Sequence, residues 1–201
     1  MNNAPLNILV LVSGNGSNLQ ALLDAGIKIA AVLSDRPGAY ALERARAAGI
    51  PALTEIPAKG LAGDERRLEL SGRILRHCRE RQIGLVVLAG FLSVLSGDII
   101  EEYSGRMINL HPALLPKFGG QGMYGENVHR AVLAAGESES GCTVHLVDSG
   151  LDTGRILLQR KVPVLGGDTP ESLAERIHRE EHIAIVEAVK MMLEGLKMEE
   201  T

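Results

Sequence analysis

Tryptophan is absent from this 201-residue sequence, and aromatic residues make up only 2% of it. Its core must therefore be built from Leu, Ile, Val and Ala, which the 45% hydrophobic content supplies. Cysteine is scarce as well. Cys78 and Cys142 are too few for a disulfide framework and read as structural or incidental. Neither sign of charge dominates: 21 Lys and Arg face 25 Asp and Glu, leaving −4. That balance gives no basic field for nucleic acid. No apolar run reaches membrane-spanning length, and the start, Met1-Asn2-Asn3-Ala4-Pro5, lacks the charged and apolar segments of a leader. A cytoplasmic protein without membrane or nucleic-acid partners is expected. No repeat, low-complexity tract or linker divides the chain, so one domain over residues 1–201 is expected.

What is present is an alternation of short aliphatic runs with helical patterns. Strands are expected at Leu6 to Val12, Ile29 to Leu33, Ala52 to Thr54, Leu85 to Ala89, Met107-Ile108, Thr143 to Val147 and Arg155 to Val162. Helices are expected at Leu19 to Ala25, Ala41 to Ala48, Asp64 to Arg81, Asn127 to Ala135 and Thr169 to Leu193. The charged segment Asp64 to Arg81 reads as mostly exposed and amphipathic. Asp168-Thr169-Pro170-Glu171 combines a cap, an early proline and an acidic first turn, which opens a long helix. This order predicts an α/β, Rossmann-like three-layer fold with a mostly parallel central sheet.

Chemistry concentrates where strands end. Asn109 and His111 lie two apart, which places both side chains on one face of an extended segment. Both can donate to an oxygen that is becoming negative. A second polar apex, Ser149-Gly150-Leu151-Asp152-Thr153-Gly154, supplies a carboxylate between glycines. His145 precedes it by one strand-to-turn length. Near the start, Gly14-Asn15-Gly16-Ser17-Asn18 forms a turn opening a helix, whose free N–H groups suit a phosphate. The same turn could also be glycine-rich for geometry alone. A dinucleotide fingerprint is half present, with Asp35 about 20 residues on, but Leu19 stands where Gly or Ala belongs. His178-Arg179-Glu180-Glu181-His182 fits an inverted zinc motif. It lacks room downstream for a third ligand, so a solvated polar helix face is the better reading.

The chain resembles the phosphoribosylglycinamide formyltransferase family of folate-dependent enzymes from about Asn7 to Ala188. The resemblance rests on Ser13-Gly14-Asn15-Gly16-Ser17-Asn18-Leu19-Gln20, Leu88-Ala89-Gly90-Phe91, Asn109-Leu110-His111-Pro112-Ala113-Leu114-Leu115-Pro116, and Val144-His145-x-Val147 leading to Leu151-Asp152-x-Gly154. It implies transfer of a formyl group from 10-formyltetrahydrofolate, a co-substrate, to the amine of glycinamide ribonucleotide in purine biosynthesis. Neither a tightly bound cofactor nor a metal is implied, and the form would be a monomer or homodimer. By the same resemblance Gly14, Asn15, Gly16, Ser17 and Asn18 hold the phosphate and Glu181 the ribose. Arg67, Leu92, Val94, Leu95, Val147 and Asp148 line the folate cleft. Asn109, His111 and Asp152 form the catalytic trio, supported by His145, with His111 protonated by the help of Asp152.

The chain also departs from the family's pattern. The loop Phe118 to Gly125 is longer by about five residues, a change loops tolerate. Asn127 stands where the first of two histidines belongs, leaving His129. His178 replaces a polar residue, and Ser93 an arginine beside the folate pocket. Two other function classes remain open on sequence: a folate-dependent hydrolase sharing the catalytic block, and a non-catalytic nucleotide-binding module.

Overall fold

The computed structural model describes residues 6–199; residues 1–5, on which the expectation about a leader was read, lie outside them. Among the described residues seven strands form one sheet in the order β3-β2-β1-β4-β5-β6-β7. Five are parallel: β1 (Asn7–Val12), β2 (Ala31–Ser34), β3 (Ala52–Thr54), β4 (Ile83–Leu88) and β5 (Met107–His111). The last two, β6 (Glu139–Leu146) and β7 (Ile156–Pro163), are antiparallel. The expected mostly parallel sheet is therefore what forms.

Strand β1 shows why the sheet is covered on both sides. Its alternate residues Ile8, Val10 and Val12 join one buried cluster and Leu9 and Leu11 the other. Burying each such side chain stabilises by about 1.5–3 kcal/mol, so a five-residue apolar run is held only between two helix layers. On one face lie α1 (Ser17–Asp24), α2 (Tyr40–Ala47), α5 (Glu126–Ala134) and α6 (Pro170–Glu199), contributing Leu19, Ala41, Val132 and Ile177. On the other lie α3 (Gly63–Glu80) and the short α4 (Asp98–Glu102).

Helix α3 is less exposed than its charge suggests. Leu70, Ile74, Leu75 and Cys78 make a buried stripe at helical spacing, and Leu68 is left outside. Desolvation pushes the thiols of Cys78 and Cys142 up to about 12, which keeps both inert. The sequence reading missed α4, whose five residues are too few for a periodic signal. Strand β6 begins at Glu139 rather than Thr143, because pairing with β7 extends through the polar stretch Glu139-Ser140-Gly141. Helix α6 is opened by a reciprocal cap. The Ser172 N–H donates to Thr169 Oγ1 at 3.3 Å and the Thr169 N–H to Ser172 Oγ at 3.0 Å.

Strand order reverses between β1 and β4, so the chain leaves those neighbours in opposite lateral directions. In open α/β sheets the crevice at such a point takes the ligand. The glycine turn after β1, the Gly90 turn after β4 and the end of β5 all meet there. The first two are tied by the Ser13 N–H donating to the Gly90 carbonyl at 3.0 Å.

Candidate active site

A cleft of about 450 Å³ opens at this reversal, and every residue that the family resemblance assigns to the site lines it. Its centre is set by strand register. Asn109 on β5 pairs directly with His145 on β6, which brings Asn109 Nδ2 within 3.2 Å of His145 Nε2. His145 donates its Nδ1–H to the Leu146 carbonyl at 2.8 Å. Nε2 then faces both the Asn109 amide nitrogen and Asp152. The chain then turns back on itself. Asp148 Oδ1 accepts from the Gly150 N–H and the Thr153 hydroxyl, and Gly154 lies so close to the Leu146 carbonyl that a Cβ would sit 1.8 Å from it. This tight turn carries Asp152, held at a left-handed φ of 59°, over the strand ends.

Asp152 and both histidines meet at short range. Asp152 Oδ2 is 3.6 Å from His111 Nδ1, and Oδ1 is 3.6 Å from His145 Nε2 and 3.4 Å from Asn109 Nδ2. The Gly120 N–H donates to Asp152 Oδ2 at 3.0 Å. Burial raises the Asp152 carboxyl, but His145, the Gly120 N–H and the charge of His111 outweigh it, and the net shift is downward. Asp152 is thus a carboxylate at neutral pH.

His111 does not follow the expectation of a protonated ring. Only 4% of it is exposed, and desolvation pulls its pKa below the ordinary imidazole value despite Asp152 and the Phe118 carbonyl. At neutral pH the resting ring is mostly neutral. Its Nε2–H donates to the Phe118 carbonyl at 2.8 Å, so Nδ1 carries the lone pair and faces Asp152. The long loop after β5 therefore reaches the trio through its backbone, a contact that side-chain motifs cannot announce. Gly119 permits this approach, because a Cβ there would lie 2.6 Å from Leu115 and 3.2 Å from the Asp152 Cβ.

At one end of the cleft the glycine turn opens α1 with Gly16 at a φ of 78°. The first-turn N–H groups of a helix have no partner within it. Behind them Asn18 Nδ2 donates to Glu181 Oε2 at 3.3 Å. Glu181 is 5% exposed and desolvation raises its carboxyl, a cost Asn18 and the nearby charge of His178 only partly offset. Asn18 Oδ1 and His129 Nδ1 are buried without a hydrogen-bond partner. Together these are acceptors and ring nitrogens waiting for hydroxyl or amide donors of a ligand.

At the other end Leu95 is buried, Val94 and Val147 are partly covered, and Leu92 is exposed. Among the described residues Arg67 pairs only with the exposed Asp64 at 3.3 Å, an interaction of little strength that lets it turn. Asp35 takes no part in the lining. Its oxygens accept from Ser13 Oγ at 2.6 Å and Ser93 Oγ at 2.7 Å, while Ser13 Oγ accepts from the Leu92 N–H. The acid that half-completed a dinucleotide fingerprint instead ties three loops together, and Ser93 is spent on that tie. Gly120 to Tyr124 also line the cleft, a role the sequence did not assign them; the signal their glycines carried is the left-handed φ at Gly120 and Gly122. Among the described residues no cluster of three or more His, Cys, Asp or Glu is placed to hold a metal, and no helix is long and apolar enough to cross a membrane.

A parallel sheet with its cleft at the strand reversal, lined by Asn, His and Asp from β5 and the turn after β6, defines an acyl-transfer class of site. The model of the formyl transferase family matches residues 6–189. The chain is 40% identical over 202 residues to "Phosphoribosylglycinamide formyltransferase" of Escherichia coli, covering 97% of this chain and 91% of that protein. It is also 44% identical to the Drosophila melanogaster "Trifunctional purine biosynthetic protein adenosine-3" over 94% of this chain, but spans only 14% of that longer protein. Its fold is similar to that of the Symbiobacterium toebii "glycinamide ribonucleotide transformylase 1", with a TM-score of 0.86 and 40% identity, covering 94% of this chain and 88% of the other. The Coxiella burnetii "phosphoribosylglycinamide formyltransferase" matches at a TM-score of 0.84 and 41% identity, over 96% of this chain and 89% of that one. The chain belongs to the formyl transferase family, among its phosphoribosylglycinamide formyltransferases.

Proposed function

We propose that this protein transfers the formyl group of 10-formyltetrahydrofolate to the amine of glycinamide ribonucleotide, giving formylglycinamide ribonucleotide and tetrahydrofolate. The observation that carries the reading is the convergence of Asn109, His111 and Asp152 within one cleft whose far wall is the glycine turn and buried Glu181. The phosphate lies on the N–H groups of Asn15 to Asn18, where the helix end favours an anion. Ribose hydroxyls donate to Glu181 and to the unpartnered Asn18 Oδ1. The folate enters between Leu92, Val94, Leu95 and the turn from Val147 to Asp152, with Arg67 beside its acidic tail.

Chemistry follows from the arrangement of donors. The amine nitrogen bonds to the formyl carbon, the carbonyl π pair moves to oxygen, and Asn109 donates to that oxygen. Growing negative charge raises the basicity of the adjacent imidazole. His111, neutral at rest, takes on Nδ1 the proton that the attacking amine loses, and the Asp152 carboxylate stabilises the resulting cation. The oxygen's pair then re-forms the carbonyl as the C–N10 bond breaks, and N10 of the folate gains that proton from His111, directly or through Asp152 and water. No step calls for a metal.

The test is incubation with 10-formyltetrahydrofolate, with and without glycinamide ribonucleotide, followed by folate absorbance. Turnover that requires the ribonucleotide is the expected result. Equal turnover without it would reassign the site to formyl hydrolysis, and none under either condition would leave a binding module.

A further inference from the structure

The glycine turn is braced from outside the cleft by α2. The Ala41 N–H donates to the Gly14 carbonyl at 3.1 Å, and the Ala41 Cβ sits 2.5 Å from where a Cβ on Gly16 would be. One helical turn on, Arg44 donates from Nε to the Asn15 carbonyl and from Nη2 to Asn15 Oδ1, both at 2.9 Å. Its remaining arm donates from Nη1 to Gln20 Oε1 at 3.0 Å, and Gln20 in turn donates to Asp24. The guanidinium lies 4.9 Å from the centre of the Tyr40 ring, which holds its plane. Arg44 itself is not part of the cleft lining, whereas Asn15 is.

An amide has an acceptor end and a donor end, and an anion distinguishes them sharply. Both oxygens of Asn15, backbone and side chain, are captured by one rigid fork. The NH₂ end is therefore the one left to meet a ligand. From this we infer that Arg44 is a positioning residue for anion recognition: it turns Asn15 donor-side to the cleft and so sets the site's preference for a phosphate monoester. The inference rests on the phosphate being held by the Gly14 to Asn18 turn. Lysine cannot perform the task, since a single ammonium has no fixed pair of parallel donors to span the two oxygens. Left unheld, the amide would rotate freely, and half its orientations would present an oxygen to the phosphate.

The inference is tested by steady-state kinetics on wild type, Arg44→Met, Arg44→Lys, Asn15→Ala and the Arg44→Met/Asn15→Ala double variant, with melting temperatures alongside. Arg44→Met is expected to raise KM for glycinamide ribonucleotide about tenfold, the scale of a lost charged hydrogen-bond pair at an exposed site. Turnover at saturation is expected to hold, because the formyl chemistry lies at the other end of the cleft. Arg44→Lys should behave like Arg44→Met, and Arg44→Met should cost less in the Asn15→Ala background than alone. Full rescue by lysine would mean that bulk charge suffices and would overturn the inference. So would a lowered melting temperature with unchanged KM, which marks a merely structural bond. If Asn15→Ala raises KM but Arg44→Met does not, only the role of Arg44 fails. If neither changes KM, the Asn15 side chain takes no part in anion binding and the inference is overturned, while a phosphate held on the backbone N–H groups would stand.

Discussion

His129 ought to make the stability of this protein fall steeply in mild acid. It lies on the inner face of α5 with 3% of its surface exposed. Burial lowers its pKa to about 4, helped by the charge of His178 and opposed by Glu126. An unfolded imidazole titrates near ~6.5. Above that value both states are neutral and the ring's contribution is fully present. As pH falls through ~6.5 the unfolded chain takes up a proton that the folded ring refuses, so stability drops until the folded ring protonates near 4. Across that whole window the loss is about 3 kcal/mol, and at about pH 5 it is already about 2 kcal/mol. The ring also lines the cleft, where solvent screens part of the loss, so both figures are upper bounds. The measurement is urea unfolding of wild type and His129→Gln at about pH 7.5 and about pH 5. His111 and His182 are also lowered by burial and stay in both proteins, so the difference between the two drops isolates His129. Wild type should lose more than the variant, by up to about 2 kcal/mol. Equal losses would falsify the account, and would mean that the ring gains a partner or solvent on protonation.

Two further expectations follow from the site. Gly14→Ala meets no atom within 4 Å, whereas a Cβ on Gly16 would collide with Ala41 at a left-handed φ; Gly14→Ala should therefore fold normally and report on ribonucleotide KM, while Gly16→Ala should lose more than about 1 kcal/mol in unfolding assays. In the trio, Asn109→Ala or His111→Ala should cost about 100- to 1000-fold in turnover with ribonucleotide binding retained, and the His111→Ala/Asp152→Asn pair should cost less than the product of its single changes; fully multiplicative losses would leave Asp152 a turn residue and nothing more.

The parts of the site that the sequence displayed are those whose geometry is local. Asn109 and His111 share a face because they are two apart on a strand, and the glycine turn opens a helix because Gly16 permits a left-handed φ. Contacts between distant segments were legible only as candidates. That His145 would orient Asn109 depends on the register of β5 against β6, and a shift of one residue would turn His145 to the other face. Asp35 looked like a ribose acid because it ends β2, yet two serines from other loops claim its oxygens. The protonation of His111 was misjudged for a related reason. Sequence counts Asp152 as a neighbouring charge but cannot weigh it against burial, which here prevails. The Phe118 carbonyl leaves no mark at all, since any residue would supply one. Yet these two unseen terms belong together. A backbone carbonyl fixes the proton on Nε2, and burial disfavours one on Nδ1, so under the proposed mechanism the ring facing Asp152 begins able to accept a proton. Under the proposed mechanism a ring already charged could only donate, and would leave Asp152 alone to collect the proton that the attacking amine loses.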